Sequence, residues 1–281
     1  MLIDHHQSRP ARGEIGLRRS ANPACDAAAE RAEQLALLRQ AVSQIERKQA
    51  DFRSAALPMG LAAMSGHLPD GNLVTGVLNE IVAAEYGDRP AAFGFAFALM
   101  AMALKRRRGP AMLVLTRRTT KDFGRPCAHG MRQHGIDPRR LIVVETRNDK
   151  DAHWALEEML RSDARPSMVM AAVAGDLALT VSRRLNLAAA AHNTPLTVIR
   201  LVSGTGTSAA ATRWNISAAR AAPGPFGSMG RSSWHAKLQR CRNGRPGEWR
   251  IEWNHGSHCF CMAEGVADSP PASRSAVLAA G

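Results

Sequence analysis

Long apolar runs are missing from this chain. The longest, AAFGFAFALMAMAL, has 14 residues, short of the roughly 20 that a helix needs to cross a bilayer, so it reads as a buried core helix and no membrane partner is expected. The opening stretch, MLIDHHQSRPARGEIGLRRS, has no apolar segment of the kind a secretory signal carries. Cysteine is sparse: Cys25, Cys127, Cys241, Cys259 and Cys261 are odd in number and scattered, which argues against a disulfide framework and for a reducing cytoplasm. Acidic residues are outnumbered, 24 Asp and Glu against 37 Lys and Arg, for a formal net charge of +13. That excess favours nucleic acid or an acidic protein as partner and says little about fold. Catalytic signatures are absent as well: the chain has no G-x-S-x-G nucleophile elbow, no H-E-x-x-H and no dinucleotide G-x-G-x-x-G.

What is present is a change of rhythm along the chain. Residues 1–25 are polar and Arg-rich without a hydrophobic period, and are expected to be disordered. Over 26–53, Leu35, Leu38, Val42, Ile45 and Phe52 recur mostly at three- and four-residue steps between charges, the pattern of an amphipathic helix. Its stripe either docks on its own domain or forms a seam for self-association or another partner. Beyond LPDGNLVTG, the apolar runs VLNEIVA, AMLVLT, LIVVET, SMVMAAV and PLTVIRLV alternate with helical patterns, which predicts an α/β fold with a mostly parallel central sheet and helices on both faces. SGTGTSAAA then reads as a flexible, turn-rich loop. TRWNISAA, SSWHAKLQRC and GEWRIEWN read as antiparallel strands, with RNGRPG as the hairpin loop between the last two. Three segments are therefore expected: 1–54, a disordered amino terminus and amphipathic helix; 55–220, the α/β core; and 221–281, a carboxy-terminal β-hairpin and disordered tail.

The stretch NEIVAAEYGDRPAAFGFAF, from Asn79 to Phe97, has the strand–turn–helix outline of a phosphate-binding loop. A working loop reads G-x-x-x-x-G-K-[ST], because glycine amides cradle the phosphates, the lysine reaches them and the hydroxyl holds Mg²⁺. Here Ala83 stands at the first glycine slot, where a positive φ is needed, and Asp88 puts a carboxylate where phosphate oxygens would sit. Arg89 is a planar fork in place of a compact ammonium, and Pro90 has neither hydroxyl nor N–H. Ala83, Glu85, Gly87, Asp88, Arg89 and Pro90 thus read as a vestigial loop, with no cofactor expected. Asp88 and Pro90 have a local purpose as helix cap and first-turn residue. The carboxylate that should hold Mg²⁺ at the end of a buried strand is also missing: Asp176 comes late after SMVMAAV and reads as a cap. Glu145, ending LIVVE, reads as a surface carboxylate, and no catalytic residue is assigned.

Three constellations remain. His255, His258, Cys259 and Cys261 in HGSHCFC are competent zinc ligands, but their spacing lacks the regularity of a zinc site and alternation on a terminal strand explains them; Cys127 and His129 are weaker still, and no metal is expected. The runs Lys105, Arg106, Arg107, Arg108 and then Arg117, Arg118, Lys121 with Arg125 could form one basic patch for a phosphate backbone. No aromatic is interleaved to stack on bases. Finally, Trp214, Trp234, Trp249 and Trp253 lie beyond the core with Arg213, Arg240, Arg242, Arg245 and Arg250 among them. Trp and Arg are enriched in binding hot spots, so Arg213, Trp214, Trp234, Arg242, Arg245, Trp249 and Trp253 are candidate partner contacts; the alternative is that the indoles pack the hairpin onto the core.

The order of strand, degenerate loop, long helix and four more strands resembles the core of RecA-like recombinases. Within that group, LPDGNLVTGVLNEI leading into the altered loop, VSRRLNLAAAAHNTPLTVIRL, SAAATRWNISAA and CRNGRPGEWRIEW resemble the ImuA-type translesion-synthesis accessory proteins. The resemblance covers roughly Gly60 to Trp253. It implies a RecA-like fold without a working nucleotide site and a bacterial cytoplasmic protein, nucleoid-associated on DNA damage. It also implies partners: an ImuB-type protein and an error-prone replicative-type polymerase, with DNA contacted directly as a further possibility. Function is then expected to be non-catalytic, with a RecA-like nucleotide- or DNA-binding ATPase as the rival.

Overall fold

The computed structural model describes residues 34, 37, 38, 56–201, 206–221 and 230–263. The chain divides into two compact units, Met1–Phe52 and Arg53–Gly281. In the first, Gln34, Leu37 and Leu38 are helical; the remainder of the helix expected over 26–53 and the disorder expected at both termini lie outside the described residues.

In the second unit, β1 (Leu57–Pro58) and β2 (Asn72–Leu73) pair as a short antiparallel arm. The other described strands join one sheet: β3 (Leu78–Ala83), β4 (Ala111–Thr116), β5 (Leu141–Thr146), β6 (Met168–Val173), β7 (Leu196–Arg200), β8 (Thr212–Ala218), β9 (Ser233–Cys241), β10 (Gly247–Asn254) and β11 (Cys259–Met262). Their order is β11-β10-β9-β8-β3-β7-β6-β4-β5. The helices are α1 (Arg89–Arg106), α2 (Arg117–Phe123), α3 (Ala128–His134), α4 (Asp149–Arg161) and α5 (Leu179–Ala191). This is the predicted α/β architecture, a large mostly parallel sheet flanked by helices and consistent with a RecA-like core. Among the described residues no helix is long and apolar enough to cross a membrane.

Burial on both faces explains the apolar runs. In β4, Leu113 and Leu115 belong to the core built around α1, while Met112 and Val114 belong to the core under α4 and α5. Helix α1 is apolar nearly all round because it is enclosed: Phe95, Ala96, Ala98, Met100, Ala101 and Ala103 have no exposed surface. Gly94 within it makes room for Trp234, since a Cβ there would come 3.2 Å from that indole. The end of α1 is held by Arg140, whose guanidinium donates to the carbonyls of Leu104 (2.8 Å), Arg107 and Gly109 (2.7 Å), groups a helix end otherwise leaves unsatisfied. Helix α2, which carries the second basic run, is capped by the Thr116 hydroxyl accepting from the Thr119 amide at 3.2 Å.

Two expectations are corrected. Strand β8 is parallel, pairing with β3 from Asn79↔Thr212 to Ala83↔Ile216, and the antiparallel part begins only at β9. A parallel neighbour requires a crossover, and the segment expected to be a flexible loop supplies it. Over 206–211 that segment packs on α5: the Ala209 amide donates to Ser182 Oγ at 3.0 Å, Asn186 donates to the Ala209 carbonyl, and Ser208 and Ala210 are buried. The carboxy-terminal strands β9, β10 and β11 extend the central sheet.

Candidate functional site

In open parallel sheets ligands bind in the crevice beyond the carboxyl ends of the strands, where the loop over residues 83–90, expected to be vestigial, follows β3. The loop has no left-handed residue between 83 and 90, so its amides form no cradle. Tyr86–Asp88 is a single 3-10 turn, and Arg89 lies 4.0 Å over the Tyr86 ring. Asp88 precedes α1 as expected, but its side chain makes no capping bond there. Its carboxylate accepts from the Glu85 amide at 3.2 Å and from the Ala218 amide at 2.8 Å, tying the loop to the end of β8. Just past β6, the carboxylate of Asp149 accepts from the amides of Ala174 (3.1 Å) and Gly175 (2.9 Å). Amides at the mouth of the crevice are thus held by the chain's own carboxylates.

Beneath this mouth lies an ionic cluster with a buried centre. Glu80 on β3 and Arg200 on β7 have side chains 0% and 1% exposed. Arg200 Nη1 is 3.4 Å from Glu80 Oε2, and its Nη2 pairs with Asp176 Oδ1. Arg213 on β8 donates from Nε to the same Glu80 oxygen at 2.8 Å and from Nη2 to the Gly206 carbonyl at 2.9 Å. Two guanidinium and two carboxylate groups balance to zero. Burial lowers the Arg200 pKa first of all, and the neighbouring Arg213 lowers it further, while Glu80 raises it. Asp176 is therefore no helix cap, α5 starting at Leu179 behind Ala178. Among the described residues no group of three or more His, Cys, Asp or Glu is placed to hold a metal ion.

The tryptophans expected at a partner surface are core residues. Trp214, Trp234, Trp249 and Trp253 are 0%, 2%, 8% and 0% exposed, with Phe95 packed 5.6 Å from Trp214 and 6.0 Å from Trp234. Each buried indole removes roughly 150–250 Å² from water, which fixes β8, β9 and β10 onto α1. Arg213 is committed to Glu80. Arg242 and Arg245 stand exposed on the turn between β9 and β10, which is anchored by the Arg242 amide on the Ala211 carbonyl (2.7 Å) and the Arg245 amide on the His67 carbonyl (2.9 Å).

The two basic runs are not brought together. Lys105 to Arg108 precede β4 and Arg117, Arg118 and Lys121 follow it, so the six residues of β4, about 20 Å at roughly 3.3 Å each, lie between them. Arg125 is paired with Glu145 at 2.6 Å on the surface, which makes Glu145 the surface carboxylate expected. Lys105 donates to the carbonyls of Ser257 (2.5 Å) and His258 (3.2 Å), bracing the turn before β11.

That turn borders a histidine cluster. His134 stacks on Trp253 with centroids 5.6 Å apart and donates from Nε2 to the Gly94 carbonyl at 3.0 Å. Burial chiefly lowers its pKa, and His255 and His258 lower it further, while the bond to the Gly94 carbonyl raises it. The sequence reading missed Glu80, Arg200 and Asp149. The signal for the first two was present: each is the one charged residue in a strand that is otherwise uncharged and buried, LNEIVA and LTVIR.

No family model matches the chain. Over 241 residues it is 32% identical to the protein ImuA of Caulobacter vibrioides, covering 78% of this chain and 93% of that protein, and the same figures hold for ImuA from a second strain of that organism.

Proposed function

The chain belongs to the ImuA family, and from that premise we propose that it is a non-catalytic accessory protein of damage-induced mutagenesis. It acts as a scaffold that brings an ImuB-type partner and an error-prone replicative-type polymerase to stalled DNA, in the cytoplasm and at the nucleoid. The observation that carries this reading is the self-satisfied crevice: Asp88 and Asp149 hold its amides, and the Glu80–Arg200–Arg213–Asp176 cluster is neutral. A bound triphosphate would have to displace these groups and supply its own Mg²⁺ site. Recruitment then works by effective concentration, which short linkages raise to the order of millimolar. Arg242 and Arg245, exposed on an anchored turn, are the members of the Trp/Arg set still available to a partner.

The test is capture of a purified ImuB-type protein by the full chain and by its Arg242→Ala/Arg245→Ala variant, each with and without Mg-ATP. Ending the chain at Arg220 is the wrong variant, because it removes Trp234, Trp249, Trp253 and Phe260 from the core. Capture indifferent to ATP and weakened by the double substitution is expected; capture that requires ATP refutes the scaffold reading. The rival reading, a nucleotide-binding ATPase using Arg89, has one observation in its favour: Nε of Arg89 is buried without a hydrogen-bond partner among the described residues. Calorimetry that finds Mg-ATP binding, lost in Arg89→Ala, would establish it.

A further inference from the structure

The charges beneath the crevice at the carboxyl end of β3 cancel in ion pairs, and those at the opposite end of the sheet, where the chain enters β4, β5 and β6, do not. Order β6-β4-β5 places side by side the segments that lead into those three parallel strands: 105–110, 162–167 and 137–140. Hydrogen bonds lock them together. Arg140 reaches the carbonyls of Arg107 and Gly109 and the Ser167 hydroxyl (3.2 Å), Ser167 Oγ donates to the Arg107 carbonyl at 3.0 Å, and the Ser167 amide donates to the Pro110 carbonyl at 2.8 Å. Gly109 lies so close to Arg165 that a Cβ there would meet its carbonyl oxygen at 2.1 Å. These three segments hold seven cations, Lys105 to Arg108, Arg139, Arg140 and Arg165, against two carboxylates, Asp137 and Asp163. Arg107 and Arg140 are half-buried and Lys105 is spent on carbonyls. Arg106, Arg108, Arg139 and Arg165 are exposed, and none forms an ion pair among the described residues.

We propose that these four arginines form a docking surface for the phosphate backbone of duplex DNA, at the end of the sheet away from the vestigial loop. Guanidinium forks suit phosphate oxygens geometrically, and a duplex offers a regular row of phosphates to forks carried on three rigidly joined segments. No aromatic residue lies in any of the three segments, so unpaired bases would have nothing to stack on. The surface goes beyond the scaffold reading and does not depend on it: a chain that captures no partner can still bind a duplex, and the two failures are separately visible. It also separates the basic runs, because Arg117, Arg118 and Lys121 lie at the far end of β4 and take no part.

The experiment is fluorescence anisotropy of a labelled 20-base-pair duplex with the full chain over 50–200 mM salt. Four phosphate contacts give a log–log salt slope of about −3.6, so across that range the native chain should lose about 10²-fold more affinity than Arg106→Gln/Arg108→Gln/Arg139→Gln/Arg165→Gln. The matching lysine variant keeps the charges and should keep the slope, which guards against a folding defect in the glutamine variant. Arg117→Gln/Arg118→Gln/Lys121→Gln should bind as the native chain does. An unchanged slope in the fourfold variant overturns the proposal, as does an equal loss in the triple variant. Preference for single-stranded DNA of the same length overturns it too, and so does displacement of the duplex by polyglutamate at equal charge concentration, which would assign the surface to an acidic protein.

Discussion

Replacing Glu80 by leucine should be among the most damaging single substitutions in the second unit. The carboxylate is fully buried and shared by Arg200 and Arg213, so Glu80→Leu takes a buried carboxylate partner from both guanidinium groups, one of them 1% exposed. Removing one partner of a buried pair costs about 3–5 kcal/mol, most of it the burden of a charge left without compensation. In a domain of this size, where 1 kcal/mol moves the midpoint by about 2–4 °C, that is a fall of about 6–20 °C. The double variant Glu80→Leu/Arg200→Leu removes both charges. Its leftover groups are better hydrated, since Asp176 is 44% and Arg213 16% exposed, so it should be at least about 2 kcal/mol more stable than Glu80→Leu alone, because apolar replacement of a whole buried pair is often neutral. Urea unfolding of the native chain, both single variants and the double closes the cycle, with an unchanged m-value as the check that two-state behaviour holds. Single variants that each cost under about 1 kcal/mol, or a double whose loss is the sum of the two, would refute the reasoning by showing that water reaches the cluster.

Three further outcomes are expected. Arg140→Met keeps the aliphatic stem but removes the donors from the Leu104, Arg107 and Gly109 carbonyls; charge-assisted bonds contribute about 1.5–3 kcal/mol, and a loss of that order with faster amide exchange in the last turn of α1 should be seen. Gly109→Ala drives a Cβ against the Arg165 carbonyl, so the loops must part at about 1–3 kcal/mol, read by denaturant midpoint. The third concerns pH: burial depresses the pKa of His134 and of His153 below the ordinary 6.5, so the unfolded chain binds protons that the fold resists. Stability should be full above about pH 6.5, fall as pH drops through the folded pKa values and level off below them. His134→Phe, which keeps a ring beside Trp253, should flatten that acid limb in a series of melting temperatures; an acid limb identical to the native chain's would show that His134 does not titrate in this window.

The strands of the parallel sheet were legible because burial on both faces writes itself as an unbroken apolar run. AMLVLT and LIVVET match β4 and β5 residue for residue, although β5 is an edge strand with Ile142 and Val143 45% and 42% exposed. The direction of β8 was not legible. TRWNISA alternates between faces in the same way whether its neighbour is parallel or antiparallel, and what decides is a crossover made of Ser, Thr and Ala without helical period. Burial of the tryptophans, the alternative to a partner surface, was legible in the alternation. In SWHAKLQRC, Trp234, Ala236 and Leu238 fall on one face and His235, Lys237 and Gln239 on the other; period-two alternation puts the indole with the aliphatics, inward, whatever its enrichment at interfaces.

The ionic cluster marks the sharper limit, since the residues missing from the loop after β3 do not say what fills the space beneath it. Two charges inside buried strands are each too costly alone, so they demand partners, and the register supplies them. Glu80 sits directly opposite Arg213 across β3 and β8, and diagonal to Arg200 across β3 and β7, with Val198 opposite it. A diagonal neighbour is about 7–8 Å away, within reach of a guanidinium. The pairing therefore follows from register, and register follows from β8 being parallel, the one feature that periodicity does not encode. With β8 parallel to β3, Arg213 stands opposite Glu80, and the crevice is bounded from below by charges that cancel.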